Sequence, residues 1–171
     1  MNTEPYEPLT LMDFSDPCSI TAWHPVNDSV MGGESRSSPQ IVDGRLIFAG
    51  RIALTNNSGF ASIRARKQHH DLSAADSVLL RVRGDGRPYQ FRLYTNAHYQ
   101  GSRIAYATTF ETIENTWLEL RLHFSQLQAT VRGRKLSGPA FDPAGVEEMG
   151  FLLADKREGS FLLCVDWIKA I

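Results

Sequence analysis

The chain reads most clearly as a series of short stretches in which apolar and polar residues alternate. Residues 60–66 show it best. Phe60, Ser62, Arg64 and Arg66 fall on one phase, and Ala61, Ile63 and Ala65 on the other. Side chains of a strand point alternately to its two faces, so this period of two predicts a half-buried strand. Residues 78–83 repeat the pattern, with Val78, Leu80 and Val82 inward. Residues 89–95 set Tyr89, Phe91 and Leu93 against Gln90, Arg92 and Tyr94. Residues 117–124 place Leu118, Leu120, Leu122 and Phe124 on one face. Further strands are predicted at 9–14, 35–38, 45–54, 104–110, 150–154 and 161–168. The last is apolar on both phases, which predicts a central or covered strand.

Turn-forming clusters separate these runs: Val42-Asp43-Gly44, Asn56-Asn57-Ser58-Gly59 and Gly84-Asp85-Gly86. The last reads as a hairpin turn between two strands, and residues 155–159 read as a second hairpin. Residues 125–145 lose the alternation and carry Arg132, Arg134 and Lys135, so they read as a basic irregular segment. A short helix is predicted at 144–148. Many short strands with almost no helical periodicity predict an all-β protein, a sandwich or a barrel. A single domain over residues 1–171 is expected, with 1–8 as an irregular lead-in marked by Pro5 and Pro8.

One stretch breaks the alternation in a different way. Trp23-His24-Pro25-Val26-Asn27-Asp28-Ser29-Val30-Met31-Gly32-Gly33-Glu34-Ser35 mixes bulky apolar, turn-forming and charged residues. Asn27, Asp28 and Ser29 can accept backbone N–H groups and hold an ordered loop. Gly32 and Gly33 permit positive φ or a close backbone approach. Two roles fit: a binding loop on a rigid scaffold, built from Trp23, Asn27, Asp28, Met31, Gly32, Gly33 and Ser35, or a structural closure of one end of the core. For Asp28, backbone N–H groups or an arginine, Arg64 or Arg87, are the expected partners.

The sequence WHPVNDSVMGGESRSS resembles the signature of the NADH:ubiquinone oxidoreductase (complex I) intermediate-associated protein 30 family. GRLIFAGRIAL, GFASIRAR, RVRGDGRPYQFRLYT and GFLLADKREGSFLLCVDWIKAI follow in the family's order, so the resemblance runs from about Leu11 to Ile171. It implies a galactose-binding-like jelly-roll sandwich. It also implies a non-enzymatic chaperone or assembly role, with respiratory-complex subunits as the class of protein partner.

Charge and cysteine usage narrow the picture. A net charge of −1 gives no overall pull toward nucleic acid or anionic membrane. No stretch approaches the roughly 20 apolar residues of a membrane span. The start, MNTEPYEPLTLMDFSD, has neither the basic n-region of a secretory signal nor the arginines of a transit peptide. A cytoplasmic protein is expected, or a mitochondrial one if the chain is a processed eukaryotic member. Cys18 and Cys164 read as reduced thiols, with a disulfide between them the lesser alternative.

No metal or catalytic motif emerges. His24, His69, His70, His98 and His123 lack ligand spacing, and no nucleophile elbow or P-loop is present. Gly84-Asp85-Gly86 lacks the third glycine of a dinucleotide fingerprint. Asp28 and Asp85 would serve acid–base chemistry only if they converged. No catalytic residue, metal or cofactor is therefore expected. The polar phases of three successive strands do carry Arg64, Arg81 and Arg92 with Tyr94. Were those strands neighbours, they would form an arginine-rich interface stripe; a solvated, ion-paired sheet face fits equally. The leading expectation is a protein-binding module. The alternative is a carbohydrate-binding module using the loops at one end, where Trp23 beside Asn27 and Asp28 would face a sugar ring.

Overall fold

The computed structural model describes residues 7–28, 33–55 and 59–171. Thirteen strands are described: β1 (Leu9–Met12), β2 (Trp23–Pro25), β3 (Arg36–Val42), β4 (Arg45–Ile52), β5 (Ala61–Ala65), β6 (Ser77–Arg83), β7 (Tyr89–Tyr99), β8 (Ser102–Phe110), β9 (Trp117–His123), β10 (Gln128–Val131), β11 (Arg134–Lys135), β12 (Glu148–Leu153) and β13 (Gly159–Ala170). They form two antiparallel sheets. The six-stranded sheet runs β3-β4-β13-β6-β9, with β1 also paired to β13. The seven-stranded sheet runs β11-β10-β8-β7-β12-β5-β2. The expected all-β class holds, and β13 is the central strand its two apolar faces call for.

The inward phases fill the space between the sheets. Leu46, Phe48, Val78, Leu80, Val82, Leu163 and Val165 come from one sheet, and Ile63, Phe91, Leu93 and Phe151 from the other, all essentially inaccessible. Phe48 meets Phe161 of its own sheet at 4.9 Å between ring centroids. Across the gap it meets Tyr89 at 6.1 Å, so the aromatic cluster joins the two layers. Burying each such side chain contributes about 1.5–3 kcal/mol.

Several expectations are corrected. Residues 83–89 and 153–159 are not hairpins. β6 and β13 lie in one sheet and β7 and β12 in the other, so both segments carry the chain across the sandwich. Residues 125–145 are not wholly irregular, since β10 and β11 pair through Thr130↔Lys135 and Val131↔Arg134. The helix expected at 144–148 is a 3-10 turn, Pro143–Gly145, capped by the Asp142 side chain, and Glu148 already opens β12.

Candidate functional site

The loop after β2 laces the two sheets. β2 pairs with β5, and the pairing continues beyond it: the Val26 N–H donates to the Ser62 carbonyl (2.9 Å) and the Asp28 N–H to the Phe60 carbonyl (3.3 Å). Asn27 Oδ1 accepts the Ser62 N–H (3.1 Å) and the Ser37 hydroxyl (2.7 Å), and Ser37 belongs to β3 of the other sheet. Asp28 is fully buried. Its Oδ1 accepts the Ser35 N–H (2.9 Å) and its Oδ2 the Phe60 N–H (3.2 Å). The Ser35 hydroxyl both donates to the Ala53 carbonyl (3.2 Å) and accepts the Ala53 N–H (3.0 Å). The Gly33 N–H closes the loop on the Asp28 carbonyl (2.8 Å). Of Asp28's two expected kinds of partner, the backbone N–H groups are the ones present. Met31 and Gly32 lie outside the described residues.

Trp23 corrects an expectation. It is 5% exposed and lies between Phe14 (6.1 Å) and Phe151 (6.2 Å), inside the core. No ring face is left for a sugar. Trp23 alone of the three β2 residues is buried, and sequence alone did not register so short a strand.

The turn at Gly84, Asp85 and Gly86 is a second structural knot. A Cβ at Gly84 would lie 2.4 Å from Thr112 Cβ, and Gly86 has φ +88°, so both positions require glycine. Asp85 accepts the Tyr89 hydroxyl (3.0 Å), the Arg87 N–H (3.1 Å) and the Leu162 N–H (2.8 Å). Burial, then the Asp85 charge, push the Tyr89 phenol up. Arg87 is buried with Asp155, their side chains 7% and 4% exposed. Its Nε and Nη2 hold the two Asp155 oxygens at 2.8 and 2.7 Å. The guanidinium also donates to the carbonyls of Arg157, Gly159 and Ser160. This fork joins the β6–β7 crossing to the β12–β13 crossing. Asp28 and Asp85 therefore serve separate backbone networks and share no partner.

The arginine stripe does not form as expected. Arg64 on β5 and Arg92 on β7 belong to the seven-stranded sheet, whereas Arg81 on β6 belongs to the other. Alternation is the same whichever sheet a strand joins, so the sequence could not separate them. On the seven-stranded sheet, one row across six strands reads His24, Arg64, Gly150, Arg92, Ala107 and Gln128. Arg64 lies 4.1 Å over the Tyr94 ring, donates to its hydroxyl (3.0 Å) and approaches Glu148 at 3.8 Å. Arg103 pairs with Glu147 (2.9 Å) and with Glu148. Arg92 donates twice to Gln90 Oε1, at 3.0 and 2.9 Å.

The outer face of the six-stranded sheet carries a feature the sequence did not disclose. Arg45, Arg81 and Arg83 converge on the Trp117 ring, at 5.0, 4.9 and 5.1 Å from its centroid. Asp166 lies 3.4 Å from Arg45 and 3.0 Å from Arg81, and Glu119 3.4 Å from Arg81. The register Arg83↔Trp117 and Arg81↔Glu119 between β6 and β9 is the signal that would have found it.

Cys18 is exposed, Cys164 is buried, and both are free thiols. Burial pushes the Cys164 thiol up, which makes it a poor nucleophile. We expect a water-soluble disulfide reagent to modify Cys18 alone in the native protein, and both thiols after denaturation. Native modification of Cys164 at a similar rate would show that β13 opens. Among the described residues no cluster of three or more His, Cys, Asp or Glu is placed to hold a metal ion. No helix among them is long and apolar enough to cross a membrane.

The model of the family described as complex I intermediate-associated protein 30 matches residues 12–165. The chain belongs to this family. A mouse (Mus musculus) family member, named complex I intermediate-associated protein 30, mitochondrial, is 32% identical over 107 residues, covering 60% of this chain and 32% of that protein. The Drosophila melanogaster protein of the same name is 24% identical over 186 residues, covering 96% and 63%. The chain thus spans less than two thirds of the length of either relative. In fold, it is similar to the family 11 carbohydrate-binding module of a cellulosomal cellulase of Clostridium thermocellum, with TM-score 0.74, 16% identity, and coverage of 96% of this chain and 94% of that one. This likeness establishes the jelly-roll sandwich.

Proposed function

We propose that this chain is a non-enzymatic protein-binding module that assists the assembly of respiratory complex I intermediates. The family match over residues 12–165 carries the reading, because it spans both sheets and the lacing loop. The geometry supports it in one further respect. Three polar side chains of the Trp23–Ser35 stretch, Asn27, Asp28 and Ser35, are engaged with the protein's own backbone. With those three side chains occupied, the outer sheet faces are the surface we put forward for recognition. The test is affinity purification of the tagged chain from its native cells, with the co-purifying proteins identified by mass spectrometry. Enrichment of complex I subunits is expected, and their absence would overturn the reading. Fractionation of the same cells decides between the cytoplasm and the mitochondrial location in the relatives' names.

Carbohydrate binding is the second reading. What favours it is the row on the seven-stranded sheet that carries His24, Arg64, Arg92 and Gln128, together with the fold it shares with carbohydrate-binding modules. With Trp23 buried, the sheet face replaces the loops as the place for a sugar. Retention on a glycan array, abolished by Arg92→Ala, is the result that would support it.

A further inference from the structure

The outer face of the six-stranded sheet concentrates cations that the fold itself does not neutralise. Arg83 stacks on Trp117, and among the described residues it has no carboxylate partner. Arg36 and Arg51 stand directly opposite each other on β3 and β4, both exposed and without an ion pair among the described residues. Like charges directly opposite destabilise a strand pair, so this arrangement carries a cost that the sheet does not offset. Arg45 and Arg81 share Asp166, and Arg81 also meets the exposed Glu119. The whole chain is nevertheless slightly acidic, with net charge −1. The excess of arginine is local.

The arrangement along the strands is also specific. Arg45 and Arg51 lie on one face of β4, about 20 Å apart at the usual rise per residue. Between them β4 and β13 present apolar side chains, Ile47, Ala49 and Leu162 (46% exposed), with the polar Ser38 and Gln40 of β3 alongside. A cationic end built on an indole, an apolar middle and a second cationic end run in line. Arginine and tryptophan are the residues enriched where protein interfaces bind most strongly, and lysine is depleted there.

We propose that this face docks an acidic protein segment, with carboxylates at Arg45, Arg81 and Arg83, an apolar side chain over Leu162, and further carboxylates at Arg36 and Arg51. The inference rests on the protein-binding reading and names the partner's chemistry. A guanidinium presents a planar fork that matches a carboxylate, and the Trp117 ring holds three of them in place before binding. The apolar middle distinguishes a protein segment from a uniform polyanion.

The test uses a synthetic peptide with two glutamates at each end and leucine and valine between them. Its binding to the full chain is followed by Trp117 indole N–H shifts in NMR and by calorimetry. Two variants probe the ends, Arg83→Gln and the double variant Arg36→Gln/Arg51→Gln. Arg134→Gln removes a charge from the other sheet as a control. Each variant is checked for a melting temperature no lower than that of wild type, and Arg83→Lys replaces Arg83→Gln should that variant fold poorly. We expect saturable binding, weakened at least tenfold by either end variant and unchanged by Arg134→Gln. Absence of binding, or equal loss in all variants, would overturn the proposal. So would equally tight competition by heparin or phosphatidylglycerol vesicles, which would mark a general anion patch. Failure here with complex I subunits still co-purifying would remove this face and leave the assembly reading standing. Success here without those subunits would do the reverse.

Discussion

Replacing Arg87 with methionine is expected to cost the fold about 3–5 kcal/mol, the range for removing one partner of a buried ion pair. The variant leaves the Asp155 carboxylate buried and opens the carbonyls of Arg157, Gly159 and Ser160. Two crossings between the sheets come loose at once. Urea denaturation of both proteins at neutral pH measures the difference, and a loss under about 1 kcal/mol would mean that the fork is not structural. The pair also sets a pH dependence. Burial raises the Asp155 carboxyl, but the Arg87 and Arg157 hydrogen bonds and their charges outweigh it and hold it below 3.8. A carboxyl depressed in the folded state adds stability that is complete above its unfolded value and is lost as the pH falls through its folded one. Wild type should therefore lose this contribution from about pH 3.8 downward. In the variant, burial without Arg87 pushes the carboxyl up, so protonation relieves it. The gap between the two proteins should narrow as the pH falls.

Asp28→Ala is the second large effect, a loss of about 2–4 kcal/mol. It leaves the N–H groups of Ser35 and Phe60 without acceptors, and an unsatisfied buried donor costs about 1–3 kcal/mol. Asp28→Asn keeps one acceptor and should lose less. Thermal and chemical melts of the two variants give the order. If Asp28→Asn folds as wild type yet no longer co-purifies with partners, Asp28 is a recognition residue and the lacing account fails.

The strands were legible where one face is buried and the other wet. β5, β6, β7 and β9 alternate because each has its own inside and outside, and β13 reads apolar on both phases because Leu162 and Cys164 stand on its outer one. β2 was missed because three residues, one of them Pro25, are too short to show a period. β10 and β11 were missed because they are short, polar and at the sheet edge. Sheet membership was not legible at all. That is why Arg81 was grouped with Arg64 and Arg92, although the sandwich puts it on the opposite face. The Asp28 anchor was readable because Asn-Asp-Ser turn chemistry announces backbone N–H partners, although Phe60, one of the two, lies 32 positions away. The Arg87–Asp155 fork was not, because its partners are 68 positions apart.

The central place of β13 has a consequence for synthesis. Among the described residues, the β3–β4 pair and the β6–β9 pair are joined within their sheet only through β13. The seven-stranded sheet holds all its strands once β12 has left the ribosome, but the other sheet waits for residues 159–170. Until then the edges of β4 and β6 are open hydrogen-bonding templates, and such edges invite pairing with other chains. A stop codon within that final strand would therefore remove a keystone rather than trim an end. The nascent chain then carries two half-sheets with nothing to join them.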